Sequence, residues 1–354
     1  MKADMKYDWR ELRRFCSAVL EAAGVRSQWA AAVADTLVDA DLHGVDSHGV
    51  VRLDIYMRRL EAGMVDADAA PELLRGQTPL LLVDGNNNFG AVAGGFALEQ
   101  SMKAAREYGC GIAGVRRSNH FGTCAYYARK AVGEGLIAIV LSNASQTMPP
   151  TGGLRPFLGT NPLCVGVPAG RHAPYILDMA TSVVARGKII VAAERGEPIP
   201  TGWAIDREGR PTTDAQAALA GSVLPLGGPK GYAIAMFIDI LCGVLTGAGF
   251  GPSVHNMYED WVRPQNVGHL FIAIDAERFM PRAEFAARMD QYIDWLKAEP
   301  TAPGVDEILV PGELERRICE QRSRQGLILP ASVADTLRRW GDRYGIDLAH
   351  AETG

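Results

Sequence analysis

The sequence predicts an α/β protein in which helices from both chain ends surround a central domain of strands and helices. Its 354 residues are enough for one large or two modest cores. Near the N-terminus apolar residues recur at helical spacing, whereas the middle of the chain has short apolar runs bounded by Gly, Pro and Asn, a pattern typical of strands. From about Pro311 the chain returns to charged helical sequence, so the two ends are expected to form one helical layer.

The individual elements follow from these patterns. Residues 8–62 predict two or three packed helices, because Trp9, Leu12 and Phe15 share one face and Ser27 is a candidate N-cap for a second helix. The predicted strands cover residues 80–83, 112–115, 137–141, 163–167 and 270–274. The predicted helices between them cover residues 96–108, 125–134 and 232–245. A single sequence leaves the strand order open.

Composition and charge argue against several classes of partner. A net charge of −5 provides no basic excess for a phosphate backbone, so no nucleic acid is expected. Residues 1–14 lack an apolar core of signal-peptide length, which predicts a cytoplasmic protein. The most apolar stretch, residues 232–248, is interrupted by Asp239 and predicts a buried helix, not a membrane span. His, Cys, Asp and Glu show no metal-ligand spacing, so no metal is expected.

The common nucleotide-binding fingerprints are missing from the sequence. No segment has the strand, G-x-G-x-x-G and helix of a dinucleotide-binding fold, and none has a phosphate loop ending in Gly-Lys-Ser/Thr. Residues 83–90 (VDGNNNFG) follow a predicted strand, but their glycine spacing is wrong. They predict a turn with Gly and Asn at positive φ.

The first polar constellation is residues 44–52 (GVDSHGVVR). If Asp46 or Ser47 caps a helix that runs to about residue 60, His48 and Arg52 lie on one face of it. The helix N-terminus would favour a neutral imidazole, and the guanidinium could grip a carboxylate with two parallel hydrogen bonds. These are the needs of a 2-oxo acid reductase. The alternative, two surface residues of an amphipathic helix, stays open. Ser47 and His48 are not expected to pair, since adjacent helical residues diverge.

Three further polar segments follow predicted strands or open a predicted helix. Residues 118–122 (SNHFG) put His120 at a strand-to-helix junction, where active-site groups concentrate. Residues 158–162 (LGTNP) precede residues 177–182 (LDMATS), in which Asp178 could hold a histidine tautomer or simply cap a helix. Residues 224–232 (LPLGGPKGY) open the most apolar helix and make a candidate phosphate site, with a plain turn and a solvated Lys230 as the alternative.

Taken in order, these segments resemble the type-2 malate/L-lactate dehydrogenase family. The resemblance rests on residues 46–52, 118–122, 159–162, 178–182, 228–232 and the turn 311–313 (PGE), and it runs from about residue 8 to 345. It implies a homodimeric NAD(P)-dependent oxidoreductase with a non-Rossmann cofactor domain and a mostly antiparallel or mixed sheet. It also implies a helical substrate-side domain, residues 1–76 with 306–354, around a cofactor domain, residues 77–305.

The resemblance assigns roles to individual residues. His48, beside Ser47, is the acid/base candidate, Arg52 grips the substrate carboxylate, and Asp178 supports the histidine. His120 resembles the proton acceptor of the ureidoglycolate branch, which leaves the division of labour between the two histidines open. Thr160 is a further substrate contact by resemblance. The expected cofactor contacts are His120, Asn143, Ala144, Asp178, Met179, Ala180, Gly228, Lys230, Pro311, Gly312 and Glu313.

The expected reaction is reversible hydride transfer between NAD(P)H and a small 2-oxo acid of the malate, lactate, ureidoglycolate or sulfolactate type. Imine reductases of the family carry a second histidine where this chain has Asn119, which favours a hydroxy acid as substrate. Residues 249–260 are also closer to the hydroxy-acid members. NAD is favoured over NADP by the same resemblance. The alternatives are a reductase of piperideine- or pyrroline-2-carboxylate and a non-catalytic binding protein of the same fold.

Overall fold

The computed structural model describes residues 5–349, and its fold is the expected mixture of helices and strands. The α-helices are α1 (Trp9–Ala22), α2 (Ser27–Leu42), α3 (Leu53–Glu61), α4 (Gly90–Tyr108), α5 (Cys124–Gly133), α6 (Arg186–Arg195), α7 (Ala215–Ala220), α8 (Pro229–Asp239), α9 (Arg282–Ala298), α10 (Glu313–Gln325) and α11 (Ala331–Tyr344). The strands are β1 (Met5–Tyr7), β2 (Glu72–Arg75), β3 (Leu80–Asp84), β4 (Cys110–Ser118), β5 (Ile137–Ser142), β6 (Leu163–Val167), β7 (Tyr175–Met179), β8 (Ala204–Ile205), β9 (Pro211–Thr212), β10 (Ser222–Val223), β11 (Val267–Ile274) and β12 (Leu327–Leu329).

A seven-stranded mixed sheet forms the centre of the protein. Its strand order is β2-β3-β4-β11-β5-β6-β7. Only the β3–β4 pair is parallel among these neighbours, because α4 supplies the crossover between them. The late strand β11 lies between β4 and β5, so the middle of the sheet joins distant parts of the sequence. The prediction of a mostly antiparallel or mixed sheet is confirmed, and this order differs from that of a doubly wound nucleotide-binding sheet.

Helices from both chain ends share one core beside this sheet. α1, α2, α3 and α11 bury Leu12, Phe15, Leu37, Met57 and Leu337 against one another. Strand β1 pairs with β12 in an antiparallel ribbon, which joins the first described residues to the segment that directly precedes α11. The domain limits 76/77 and 305/306 stay predictions, although β2, which precedes the first limit, is already part of the central sheet.

Two layers of helix cover the central sheet. α4 and α5 lie against β4, β5 and β6 on an alanine-rich, tightly packed face. The predicted apolar helix at residues 232–245 is α8 followed by a π-helical turn, Ile240–Val244. It is not simply buried as expected: Ile238 and Cys242 face the core, whereas Phe237 and Leu245 are 58% and 67% exposed. Within residues 5–349, every helix is too short or too polar to cross a membrane.

The segment of the chain that connects β7 to α8 forms a third, smaller core. α6, α7 and the short sheet β10-β8-β9 enclose Ile189, Ile199 and Val223. Sequence periodicity predicted none of these short elements, and it also missed α9. Helix α9 buries only Ile293 of its seventeen residues, so its sequence has little apolar periodicity to detect.

Candidate active site

The segment with His48 is a pair of 3₁₀ turns, not the start of an α-helix. The turns span Asp46–His48 and Val50–Arg52, and α3 begins only at Leu53. Asp46 does not cap that helix, because its carboxylate forms an ion pair with Arg322 of α10. The expectation that neighbouring side chains diverge is also wrong here, since Ser47 Oγ lies 2.9 Å from His48 Nδ1.

Arg52 is half-buried next to this histidine. Its Nε donates to the backbone oxygen of Ser47 at 2.6 Å, and its guanidinium lies 5.6 Å from the ring centroid of Tyr258. No carboxylate of residues 5–349 forms an ion pair with it. The two terminal nitrogens are therefore available to an anion from outside the chain, as a bidentate carboxylate site requires.

His120 lies against His48, although the two are 72 positions apart along the chain. The two imidazole rings stack with centroids 5.4 Å apart and planes 28° from parallel. Nδ1 of His120 is 2.6 Å from the Tyr56 hydroxyl, and its backbone N–H donates to Gln265 Oε1 at 3.0 Å. The fold thus brings together the two histidines and Arg52, as the sequence predicted for His48 and Arg52 but on different backbone geometry.

Burial and the nearby Arg52 charge keep both imidazoles neutral near pH 7. Loss of solvent contact is the main cause that lowers the pKa of His48 to about 4, and the Arg52 charge adds to it. The same burial lowers the pKa of His120 well below its usual value, with further contributions from His48, Arg52 and His269. The expected cause, a helix N-terminus, is not the one found. Each ring keeps Nδ1 on its hydroxyl partner, which leaves Nε2 as the atom that can exchange a proton.

Asp178 does not contact a histidine in the way the sequence suggested. Its Oδ2 accepts the backbone N–H of Ala125 at 2.7 Å, so the carboxylate caps α5, a use the sequence allowed as the alternative. Desolvation by the surrounding protein raises the pKa of Asp178 to about 6, although part of the residue's surface reaches solvent. As the end of β7, it lies at the same sheet edge as the loop that leads to α6.

The segments expected to bind a cofactor meet around the end of β7. Thr181 donates both its N–H and its hydroxyl to the Thr160 backbone oxygen, at 2.9 and 3.0 Å. Thr181 O in turn accepts the N–H of Leu226, which leads into Gly228 and Lys230 at the start of α8. Thr160 and Gly228 are thereby brought to one strand end, together with the backbone from Asp178 to Ala180.

The turn at residues 311–313 joins the same region. Pro311 O accepts the N–H of Ile176, the second residue of β7, and Gly312 adopts φ +94. A Cβ on Gly312 would lie 2.9 Å from Ile176 Cβ, so only glycine fits this approach. Glu313 is 9% exposed and accepts Lys297 Nζ at 2.7 Å, so its carboxylate is already engaged within the chain.

Asn143 is buried and its side chain is fully used by the fold. Its Nδ2 donates to Asp239 Oδ1 at 3.0 Å and to Gly249 O at 2.7 Å, and its Oδ1 accepts the N–H of Gly268. A cofactor contact at this position would therefore use backbone and not the amide. The neighbouring Ala144 N–H donates to Asn161 Oδ1 at 3.0 Å.

Three residues of this site were missed by sequence reasoning. Tyr56 on α3, Tyr258 in the loop that precedes β11, and Gln265 at the end of that loop contact His120 or Arg52. Tyr56 follows Arg52 by four positions, a helical spacing that could have marked it. Gln265 and Tyr258 are more than a hundred residues away from their partners, and no local pattern indicates such contacts. In the described part of the chain, no group of three or more His, Cys, Asp or Glu side chains is arranged to hold a metal ion.

Comparison with known proteins identifies the family. The family model described as malate/L-lactate dehydrogenase matches residues 7–338. The chain belongs to this family. It is 38% identical to L-sulfolactate dehydrogenase of Methanothermobacter thermautotrophicus over 90% of this chain and 91% of that protein. It is 38% identical to malate dehydrogenase of Pyrococcus abyssi over 95% and 94%. The structure of sulfolactate dehydrogenase from Methanocaldococcus jannaschii superposes with a TM-score of 0.91, at 35% identity and 98% coverage of both chains.

Family membership makes the protein an oxidoreductase that acts on a hydroxyl group. Relatives in the family are named for different coenzymes. One is (2R)-3-sulfolactate dehydrogenase (NADP(+)) of Chromohalobacter salexigens, and another is ureidoglycolate dehydrogenase (NAD(+)) of Escherichia coli O157:H7. A solved delta1-piperideine-2-carboxylate reductase from Pseudomonas syringae also has this fold, with a TM-score of 0.85 at 27% identity.

Proposed function

We propose that this protein transfers hydride reversibly between a nicotinamide coenzyme and a small 2-hydroxy acid of the malate, lactate, sulfolactate or ureidoglycolate type. The observation that carries the proposal is the stacked pair His48 and His120 beside the unpaired guanidinium of Arg52. A cation for the carboxylate and a base for the hydroxyl are the two groups that oxidation of a 2-hydroxy acid requires from the protein.

Arg52 binds the substrate carboxylate in this proposal. Its Nε is fixed on the backbone oxygen of Ser47, which orients the guanidinium plane and leaves the two terminal nitrogens for the ligand. The ring of Tyr258 covers one face of that plane. Such a fork binds a carboxylate more strongly than a point charge would, and it fixes the direction of the substrate.

His120 accepts the hydroxyl proton, and His48 donates a hydrogen bond to the same substrate oxygen. When Nε2 of His120 takes the proton, Nδ1–H can donate to the Tyr56 oxygen 2.6 Å away. Tyr56 is only 6% exposed, so this acceptor keeps its position without competition from water. His48 has only the exposed Ser47 hydroxyl as partner. In the reverse direction His120 returns the proton to the carbonyl oxygen.

The start of α8 has the chemistry of a pyrophosphate site. Gly227 and Gly228 adopt φ +58 and +64, and a Cβ built on Gly228 meets nothing within 4 Å, so space lies open before the helix. Lys230 is exposed and forms no ion pair with any of residues 5–349. Helix N–H groups and a free ammonium suit phosphate oxygens. These donors fit a nicotinamide dinucleotide, which supplies the hydride acceptor when it is bound.

The remaining cofactor contacts are proposed along the end of β7. The backbone from Asp178 to Ala180 and the turn Pro311–Glu313 would line the dinucleotide next to Lys230, and His120 would face its nicotinamide end. Asn143 and Ala144 would contribute backbone only. Relatives named for NAD and for NADP both occur, so the coenzyme is a proposal of its own, and NAD is the first to test.

The hydroxy-acid assignment competes with a cyclic-imine reductase. The solved piperideine-2-carboxylate reductase favours testing that alternative. Asn119, which separated the two classes in the sequence, has its amide bonded to Asn87 and Asn88 and is 4% exposed. Its influence on substrate choice must therefore be indirect, through the turn that precedes His120.

A spectrophotometric scan tests the function. The purified chain is mixed with NADH or NADPH and, one at a time, with 2-oxo acids and cyclic imines, and loss of reduced coenzyme is followed. We expect turnover with one or more of the 2-oxo acids and much less with imines. A matched control is His48→Ala/His120→Ala, which removes both proton donors and keeps Arg52. Turnover confined to imines, or activity unchanged in the control, would overturn the proposal.

We also propose a homodimer in the cytoplasm, as the family resemblance implies. The outer side of residues 234–245 gives the dimer a surface, because it exposes six large apolar side chains. These are Ile234, Met236, Phe237, Ile240, Val244 and Leu245. Light scattering after size exclusion should give about twice the chain mass, and Phe237→Glu with Leu245→Glu should give one chain mass.

A further inference from the structure

His269 is a buried imidazole for which the proposed reaction has no use. It lies in β11, the strand between β4 and β5, and none of its surface is exposed. Nε2 is 2.9 Å from Ser118 Oγ, and Nδ1 is 2.9 Å from Ser142 Oγ. Both ring nitrogens are thus hydrogen-bonded to serines of the two flanking strands. Burial lowers the pKa of this histidine to about 3, so the ring is neutral under physiological conditions.

The two serines end their strands immediately before the site. Ser118 is the last residue of β4 and is followed by Asn119 and His120. Ser142 is the last residue of β5 and is followed by Asn143 and Ala144. The imidazole of His269 therefore joins the end of β4, which leads to the proposed proton acceptor, with the end of β5, which leads to the proposed cofactor-binding backbone.

The number of available protons indicates which group donates and which accepts in the chain Ser118–His269–Ser142. A neutral imidazole has one N–H and one acceptor nitrogen, and each serine has one hydroxyl proton. Ser142 Oγ is well placed to donate to Asn143 O, at 2.9 Å, whereas the corresponding distance from Ser118 Oγ to Asn119 O is 3.4 Å. All three groups are satisfied if Ser118 donates to Nε2, Nδ1–H donates to Ser142, and Ser142 donates to Asn143 O.

The ring face of His269 makes a second connection to the site. Phe121, the residue after His120, stacks on it with centroids 4.1 Å apart and planes 7° from parallel. The register of β11 against β4 shifts between Val267 and His269, whereas His269 lies directly opposite Ser142 in β5. His269 thus contacts both chain neighbours of the segment with His120: it stacks on Phe121, and its Nε2 is hydrogen-bonded to Ser118. These two contacts restrict the orientation of His120.

We propose that His269 is a positioning residue that holds the end of β4 and the end of β5 in register, so that His120 and the cofactor-binding backbone at residues 143–144 face each other correctly. This inference rests on the proposed dehydrogenase function. It makes the two serines separable: Ser118 serves the proton-transfer side, and Ser142 serves the cofactor side.

The test compares Ser118→Ala with Ser142→Ala, each of which removes one hydroxyl without enlarging a side chain. Ser118→Ala should lower kcat roughly three- to tenfold and leave the Kd for reduced coenzyme unchanged, the effect of one buried hydrogen bond on one step. Ser142→Ala should weaken coenzyme binding by a similar factor and change kcat less. The matched control is Ser101→Ala, which loses a buried hydroxyl bonded to Leu98 O on α4 and should change neither constant.

A readout independent of turnover separates this inference from the proposed function. In ¹⁵N-histidine NMR, Ser118→Ala should shift the ring resonances of His120, whereas Ser142→Ala and Ser101→Ala should leave them in place. If the wild type turns over no substrate but these shifts occur, the dehydrogenase proposal fails and the positioning role stands. If both serine variants change kcat, Kd and the spectrum equally, or change only Tm, His269 is merely structural and the inference is overturned.

Discussion

The two stacked histidines have the same chemistry but different surroundings. His48 is held by Ser47, its direct neighbour in sequence, on a 3₁₀ turn whose other two residues are exposed. His120 is held by Tyr56 and Gln265, which lie 64 and 145 positions away and are 6% and 5% exposed. One ring can therefore adjust its position with a local turn, whereas the other can move only if α3 and the segment that leads into β11 move too.

This difference teaches which ring suits which task. A proton acceptor must keep its nitrogen in line with the substrate oxygen in every turnover, because a misplaced group loses much of its rate advantage. A hydrogen-bond donor that only orients the substrate tolerates more motion. The hydrogen bonds of His120 to residues distant in sequence therefore favour it as the proton acceptor. The single bond of His48 to its neighbour favours a role in orienting the substrate.

Removal of each histidine in turn tests most directly whether the two rings have different roles. His120→Ala should lower kcat about a hundred- to ten-thousand-fold, the range typical of a lost general base. His48→Ala should lower kcat roughly tenfold, since it loses one hydrogen bond to a polar substrate oxygen. Steady-state kinetics of hydroxy-acid oxidation, with coenzyme affinity measured separately, gives both values. A larger loss of kcat in His48→Ala would exchange the two roles.

Arg52 acts on both histidines, and two substitutions separate its charge from its shape. Arg52→Lys keeps the charge and loses the fork, so KM should rise about tenfold or more while both imidazoles keep their low pKa. Arg52→Gln loses both, so KM should rise further. Because the Arg52 charge is one cause that lowers the pKa of His48 and of His120, both values should increase in Arg52→Gln.

The sign of the pH effect follows from the neutral form of the base. Oxidation needs unprotonated His120, so kcat/KM falls as pH drops through the pKa of the free enzyme, and a higher pKa moves this fall to higher pH. The groups that face the pair are Arg52, the other imidazole and, for His120, His269. Imidazole titration by ¹⁵N NMR measures the shift without substrate. Equal pKa values in Arg52→Lys and Arg52→Gln would show that the guanidinium charge does not reach the histidines.

Sequence patterns predicted the strands of this fold better than its irregular parts. Residues 163–167 match β6 to the residue, because a short apolar run between Pro162 and Pro168 has few other structures open to it. The π-helical turn at Ile240–Val244 could not be predicted, since it depends on Asp239, whose carboxylate accepts from Asn143 and from the N–H of Gly251. Such contacts between distant residues leave no local pattern.

The site shows the same division. His48 and Arg52 were predicted to share a space because they are four residues apart, and they do, but through two 3₁₀ turns that the helical pattern did not reveal. The stack of His48 on His120 joins segments whose relation only the tertiary fold defines. The family resemblance supplied His120 as a candidate, whereas local chemistry alone could not have paired it with Tyr56.

The smallest effects are expected when the hydroxyl partners of the two histidines, Tyr56 and Ser47, are removed. Tyr56→Phe removes the buried acceptor of His120 Nδ1 and should lower kcat roughly tenfold, because the protonated ring would then have an unpaired N–H in the protein interior. Ser47→Ala should cost less than about threefold, since water can replace the exposed Ser47 hydroxyl. The burst and steady-state rates of both variants measure the difference. Equal losses of kcat would mean that the buried Tyr56 partner gives His120 no advantage over His48. The assignment of His120 as the proton acceptor would then rest on the two alanine variants alone.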